Sequence, residues 1–302
     1  MNEGYACINV ELRKKKVFAG RTCRKDTFEQ KGLHYVGELA LHNLKDLYQI
    51  VQWNERNNIK FYRIGSDIFP WSSEYEYDQL PQYKQCVNVL KAIGDYVTKV
   101  GQRLTFHPGP FNILGSSNPE VVKRTMIDLR HHSEIFDLMG FEPSTYNKIN
   151  IHVGAAYNDK QAVLNRWCEN YAKLDTNIKK RLTVENDDKE SLYTVDDLYR
   201  GIYLVVGVPI VFDYHHHTCH SGGVSHRDAL QLALSTWPKG IRPIVHYSSS
   251  RQIEDPKSKK QAHADYIHED INTYGFDFDV MLEAKAKEKA LLEVRKKQCI
   301  LV

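Results

Sequence analysis

Eight short apolar runs, alternating with longer stretches of helical spacing, narrow most sharply what this chain can become. The runs are YACIN (5–9), KFYRIGS (60–66), RLTFH (103–107), KINIHVG (148–154), RLTVEN (181–186), PIVFD (209–213), RPIVHYS (242–248) and DFDVMLE (277–283). Runs of this length and composition read as strands, and helical stretches between them make parallel βα units. Segments around 42–57, 81–98, 118–140, 159–176, 195–205, 226–236 and 283–298 place apolar residues at helical intervals. In the third of these, Asn118 caps, Pro119 suits the first turn, Gly140 ends the helix, and Val122, Met126, Leu129 and Phe136 share one face. Eight such units in 302 residues predict an α/β fold, a single (β/α)8 TIM barrel over residues 1–302, better than an open doubly wound sheet.

Residues able to do chemistry fall at the C-terminal ends of these strands: Asn9, Ser66, His107, His152, Glu185, Asp213, His246 and Glu283. A barrel brings all those ends to one face, where active sites are built. Taken singly, each has an ordinary reading as a cap, a salt-bridge partner or a hydrogen-bonded histidine. Chance would scatter them over both ends of the strands. The stretch VFDYHHHTCH (211–220) adds a D-x-x-H pair, Asp213 and His216, on the turn leaving the sixth strand. Imidazoles and carboxylates at one mouth describe a multinuclear metal site, whose mixed N/O donors suit Mn²⁺ or Zn²⁺ over Mg²⁺ or Ca²⁺. A carboxylate such as Glu185, shared by two ions, would hold them ~3.5–4 Å apart, the spacing used for in-line displacement at phosphorus. His215 and His217 are expected to point elsewhere, as supporting or phosphate contacts.

Net charge is +3, so a polyanion must be met by local patches rather than by a globally basic surface. RKKK (13–16), Arg21 and Arg24–Lys25 fall after the first strand, and KSKK (257–260) after the seventh, both on the expected mouth. KKR (179–181) precedes the fifth strand and is expected on the opposite face as a solvated run. The loop DIFPWSSEYEY carries Phe69, Trp71, Tyr75 and Tyr77. These rings either stack on extruded bases or form a local aromatic core. The six cysteines (7, 23, 86, 168, 219 and 299) form no CxxC pair and read as reduced thiols of a soluble cytoplasmic protein. No run reaches membrane-span length.

In GYACIN, NLKDL, FYRIGSDIFP, HPG, NIHVGA, TVENDD, VFDYHHHTC, HYS and AHADYI, taken in order, the chain resembles the UV damage endonucleases, relatives of the TIM-barrel AP endonucleases. The resemblance covers nearly the whole sequence. It implies metal ligation by His107, His152, Glu185, Asp213, His216, His246, His263 and Glu283, with Glu185, Asp213 and Glu283 as the catalytic carboxylates. His263 enters on the resemblance alone. Also implied is metal-assisted nicking of damaged double-stranded DNA directly 5′ of a UV photoproduct, leaving a 3′-hydroxyl, with a damage range that can extend to abasic sites. Tyr5 and Asn9 become lesion contacts, beside Phe69 and Trp71. Two departures stand out. The family follows HPG with Gln-Tyr, which inserts into the duplex; here Pro110-Phe111 follows. The family also carries a modified, metal-ligating lysine two residues before the seventh-strand histidine, and that position is Ile244. The expectation is therefore two tightly held divalent ions, Mn²⁺ foremost, a third position weak or empty, no organic cofactor, no membrane, and a monomer. A divalent-metal sugar isomerase or epimerase on the same barrel is one rival; a non-catalytic DNA-damage binding protein is another.

Overall fold

Each run becomes a strand of three or four residues: β1 Glu3–Ala6, β2 Phe61–Ile64, β3 Arg103–Phe106, β4 Ile149–Ile151, β5 Leu182–Glu185, β6 Ile210–Asp213, β7 Ile244–Tyr247 and β8 Asp279–Leu282. The ladder stops short of the runs because the backbone turns out at the top to aim polar side chains at the mouth. His107, His152 and Glu283 lie just past their strands. In this computed structural model, which describes the backbone of residues 1–300 and the side chains of residues 1–297, all eight strands pair in parallel and in sequence order. β8 returns to β1, giving a closed barrel. Tyr5 lies opposite Tyr62 on one side and Leu282 on the other.

Helices surround the barrel: α1 Val10–Lys14, α2 Lys25–Arg56, α3 Tyr83–Val100, α4 Pro119–Leu138, α5 Lys160–Ala172 and α6 Thr176–Arg181. Then come α7 Val195–Leu198, a π-helical turn Tyr199–Tyr203, α8 Leu204–Val206, α9 Tyr214–Cys219, α10 His226–Ser235 and α11 Glu288–Ile300. Outward strand residues such as Leu104, Ile149, Val184 and Phe212 bury against them. Inside, Phe61, Val211, Ile244 and Met281 pack one layer. Strand side chains alternate faces, so the residues two further on, Arg63, Asp213, His246 and Glu283, also point inward, above that layer. Ile244 is fully buried there. A barrel layer filled by apolar side chains is therefore the floor beneath the mouth.

Several expectations need correction. The first strand runs over 3–6 rather than 5–9, and Asn9 caps α1 by accepting from Leu12 N–H. Part of RKKK, Arg13 and Lys14, is helical rather than loop, and Lys25 starts the long α2. The expected helix at 42–57 is only the second half of α2. Gly32, at φ 64°, breaks α2 and lets its polar first part change direction. The cap at Asn118 and the stop at Gly140 (φ 80°) are as expected. KKR is a solvated run only in part: Lys180 is exposed and Lys179 half-buried, but Arg181 is fully buried, donating to Ser133 Oγ and Phe141 O and pairing with Asp137 at 2.8 Å. Among the described residues, Cys7, Cys23, Cys86, Cys168 and Cys219 are free thiols; Cys299 lies outside the described side chains. No described helix is long and apolar enough to cross a membrane.

Candidate metal centre

Glu185, the last residue of β5, stands at the middle of the mouth with 1 % of its surface exposed. Its Oε2 lies 3.1 Å from His107 Nε2 and 3.0 Å from His246 Nδ1, and its Oε1 lies 3.4 Å from His216 Nδ1. Two ligand triads share this carboxylate: His107–His152–Glu185 and Glu185–Asp213–His246, each with its donor atoms within 4.8 Å of one another. Asp213 begins α9, and its Oδ1 accepts from His216 N–H at 2.8 Å. The D-x-x-H pair is thus a helix start that turns both side chains to the mouth, His216 Nδ1 coming within 4.0 Å of Asp213 Oδ2. Glu283 Oε1 is 3.2 Å from His246 Nδ1, and Glu283 Oε2 is 3.8 Å from His263 Nδ1. All eight expected ligands therefore converge on one mouth.

The donor set fits divalent ions. Glu185 Oε1 and Asp213 Oδ2 are buried without a hydrogen-bond partner, which is costly for carboxylate oxygens unless a cation completes them. Burial alone would raise the Glu185 carboxyl, but the imidazoles of His246 and His152 and the bond from His107 hold it well below the usual range. Burial pushes Asp213 up despite His216 and His107 down to about 4, leaving that ring neutral, the form that ligates. His152 is raised to about 10: burial opposes this, but Glu185 and Asp187 win.

Four residues of the centre escaped the sequence reading. Asp187 Oδ1 sits 3.0 Å from His152 Nδ1 and orients that ring. Asn150 Nδ2 donates to Glu185 Oε2. Arg63 Nη1 pairs with Glu283 Oε1. Lys148, fully buried, extends its Nζ to 3.4 Å from His246 Nε2. The signal was present in KINIHVG, where Lys148, Asn150 and His152 alternate in period two and so share the inward face. Lys148 brings an amine from the start of β4 into the interior that Ile244 leaves apolar.

Other expected positions fall outside the centre. Tyr5 and Asn9 are fully buried: Tyr5 Oη donates to Asn54 Oδ1 and accepts from Asn9 Nδ2. Satisfied by each other and by the core, they present nothing to DNA, which corrects their reading as lesion contacts. Phe69 is likewise core, stacked 4.1 Å from Tyr77. Trp71 is half-buried on Phe28 and donates to Cys23 O, yet it lines a groove of ≈ 1000 Å³ shared with His107, Arg124 and Phe111. Phe111 is 83 % exposed, and Pro110 beside it is exposed too. His215 and His217 are buried and join neither triad, so the phosphate contact considered for them is not available. Arg21 is spent on Asp46 and on the carbonyls of Phe18 and Lys16. Arg13, Lys14, Lys15, Lys16, Arg24, Lys257, Lys259 and Lys260 stay exposed.

An eight-stranded parallel barrel whose mouth gathers imidazoles around a shared carboxylate defines a class, the TIM barrels, here with a candidate metal site at the mouth. Endonuclease IV from Thermus thermophilus shares that barrel, with a TM-score of 0.59 over 100 % of both chains at 13 % identity. Within the class, the UV-endonuclease UvdE family model matches residues 1–300, and the chain belongs to that family. The crystal structure of SacUVDE superposes with a TM-score of 0.85 at 33 % identity, covering 100 % of this chain and 99 % of that one. The UV-damage endonuclease of Schizosaccharomyces pombe is 35 % identical over 306 residues, 96 % of this chain. This chain spans about half, 49 %, of that relative's length.

Proposed function

We propose that this chain hydrolyses one phosphodiester of damaged double-stranded DNA directly 5′ of a UV photoproduct, leaving a 3′-hydroxyl. The observation that carries the proposal is the Glu185 carboxylate shared by two ligand triads at the mouth of a UvdE-family barrel. His107, His152, Glu185, Asp213, His216, His246, His263 and Glu283 would hold divalent ions, Mn²⁺ before Mg²⁺ because so many of the donors are imidazole nitrogens. When bound, such ions polarise the phosphate and lower the pKa of water. Two ions would be held tightly and a third weakly, because the isoleucine at position 244 offers no donor.

The chain's own residues position the substrate. Exposed Arg13, Lys14, Lys257 and Lys259 take phosphates of the flanking backbone. Phe111, presented by Pro110, enters the duplex at the lesion, and Trp71 lines the groove beside it. Unpaired thiols among the described residues support an intracellular setting. Incision of an oligonucleotide carrying a defined photoproduct, with and without chelator, tests the reading. Wild type with Mn²⁺ should nick 5′ of the lesion, and Glu185→Gln should bind the same DNA without nicking it. Incision that survives chelation, or near-wild-type incision by Glu185→Gln, would refute the proposal. An abasic-site duplex in the same assay reports the damage range.

A further inference from the structure

The mouth holds four acidic groups, Glu185, Asp187, Asp213 and Glu283, yet must admit a phosphodiester, which is itself an anion. Among the described residues, Arg63 is the one Lys or Arg lining the ≈ 280 Å³ pocket bounded by His107, His152, Glu185, His216 and Glu283. It comes from β2, two residues beyond Phe61 of the apolar floor, and its side chain is 13 % exposed. Nη1 pairs with Glu283 Oε1, which fixes the guanidinium against the acidic wall. Among the described residues Nε is buried with no hydrogen-bond partner. The guanidinium is thus anchored at Nη1 against Glu283 while Arg63 lines the pocket where the ligand set converges.

We infer that Arg63 is a catalytic residue that donates to a non-bridging oxygen of the scissile phosphate; the inference rests on the endonuclease reading above. A planar fork of N–H donors matches phosphate oxygens. A donor fixed before the reaction stabilises the extra charge that phosphorus oxygens gain in the transition state, without having to reorganise. The ion pair with Glu283 supplies that fixing. The same geometry gives Arg63 a second consequence. Its positive charge lies against a carboxylate expected to ligate metal, so it opposes cation binding rather than assisting it.

That opposition separates a phosphate-binding role from a merely structural one. In Arg63→Gln the turnover rate should fall ~10²–10³-fold, the range for losing one such donor, while KM moves only a few-fold. Mn²⁺ affinity, measured by calorimetry on the protein alone, should stay equal or rise. Added guanidinium should restore part of the rate to Arg63→Ala. Arg63→Lys keeps the charge without the fork and should fall between wild type and Arg63→Gln; it carries the test if the neutral variant does not fold. Loss of Mn²⁺ affinity in step with the rate would make Arg63 a positioning residue for Glu283 and overturn the inference. Wild-type turnover in Arg63→Gln, beside an active wild type, would overturn it as well. Absence of incision by wild type itself would bring down the endonuclease reading, and the assignment of Arg63 with it.

Discussion

Replacing Lys148 with methionine tests the interior of the barrel through a number. The Nζ of Lys148 is fully buried, 3.4 Å from His246 Nε2, and faces the charges of Glu185, Arg63, Arg103 and Glu283. Burial outweighs Glu185 and lowers its pKa from 10.5 to about 7. That gap, roughly 3.5 pH units, corresponds to ~5 kcal/mol at 1.36 kcal/mol per unit. Its sign follows from proton counting. Between pH 7 and 10.5 the unfolded chain holds the proton and the folded chain has lost it, so wild-type stability rises with pH across that window. Below pH 7 both states are protonated and the full cost of burying the ammonium remains. Methionine is close in shape and carries no proton, so the variant lacks this slope. Urea unfolding of both proteins in chelator, at about pH 7.5 and 9.5, should show the wild type gaining on Lys148→Met by about 2–3 kcal/mol. Groups common to both proteins cancel in that difference. Parallel stability curves would refute the reasoning and mean that Glu185 and Glu283 keep the ammonium charged at its ordinary pKa.

Among the three histidines of α9, His216→Ala should lower bound metal and incision rate, as measured by elemental analysis and nicking. His217→Ala should cost thermal stability and leave metal content alone, because its ring is buried and pairs with Val224 O. Phe111→Ala should weaken binding to lesion-containing duplex by ~1–3 kcal/mol, the worth of one aromatic–base stack, with unchanged Mn²⁺ content; equal affinities in a titration would count against insertion. Anomalous scattering from crystals grown with Mn²⁺ should show two strong peaks around Glu185, and a third full peak beside His216 and His263 would overturn the two-ion expectation.

How much of this was legible beforehand differs from element to element. The barrel was readable because its strands are buried on both faces and so appear as short, mainly apolar runs, a signal tertiary context reinforces. The mouth was readable because parallel strands put every C-terminal end on the same side. Boundaries were less readable. At β1 the burial of Tyr5 against Asn54 and the cap at Asn9 decide where the strand stops, and the first of these is a contact 49 residues away in sequence. The polar first half of α2 resembles a loop until Gly32 and the surface it packs on are known. Arg63 and Lys148 were missed for a different reason. A charged residue inside a strand ordinarily marks a solvent face, and only the paired carboxylates of other strands make the interior tolerable for it. For Arg63 that partner is 220 residues away. Phe69 and Phe111 show the same dependence: both are phenylalanines near the mouth, yet one stacks on Tyr77 and the other stands in water.

Asp213 has one oxygen tied to the first turn of α9, through His216 N–H, and the other left without a partner. Shape and charge therefore reside on separate atoms of a single side chain. An asparagine at 213 would keep the cap, because an amide oxygen accepts the same bond, while removing the negative charge; an alanine would remove both. The two variants thus partition what is lost into a folding part, read as fraying at residue 214 onward, and an ionic part, read as metal affinity. A chain that starts a helix with a residue of its candidate metal site can vary the charge there without disturbing the helix only through another residue that caps.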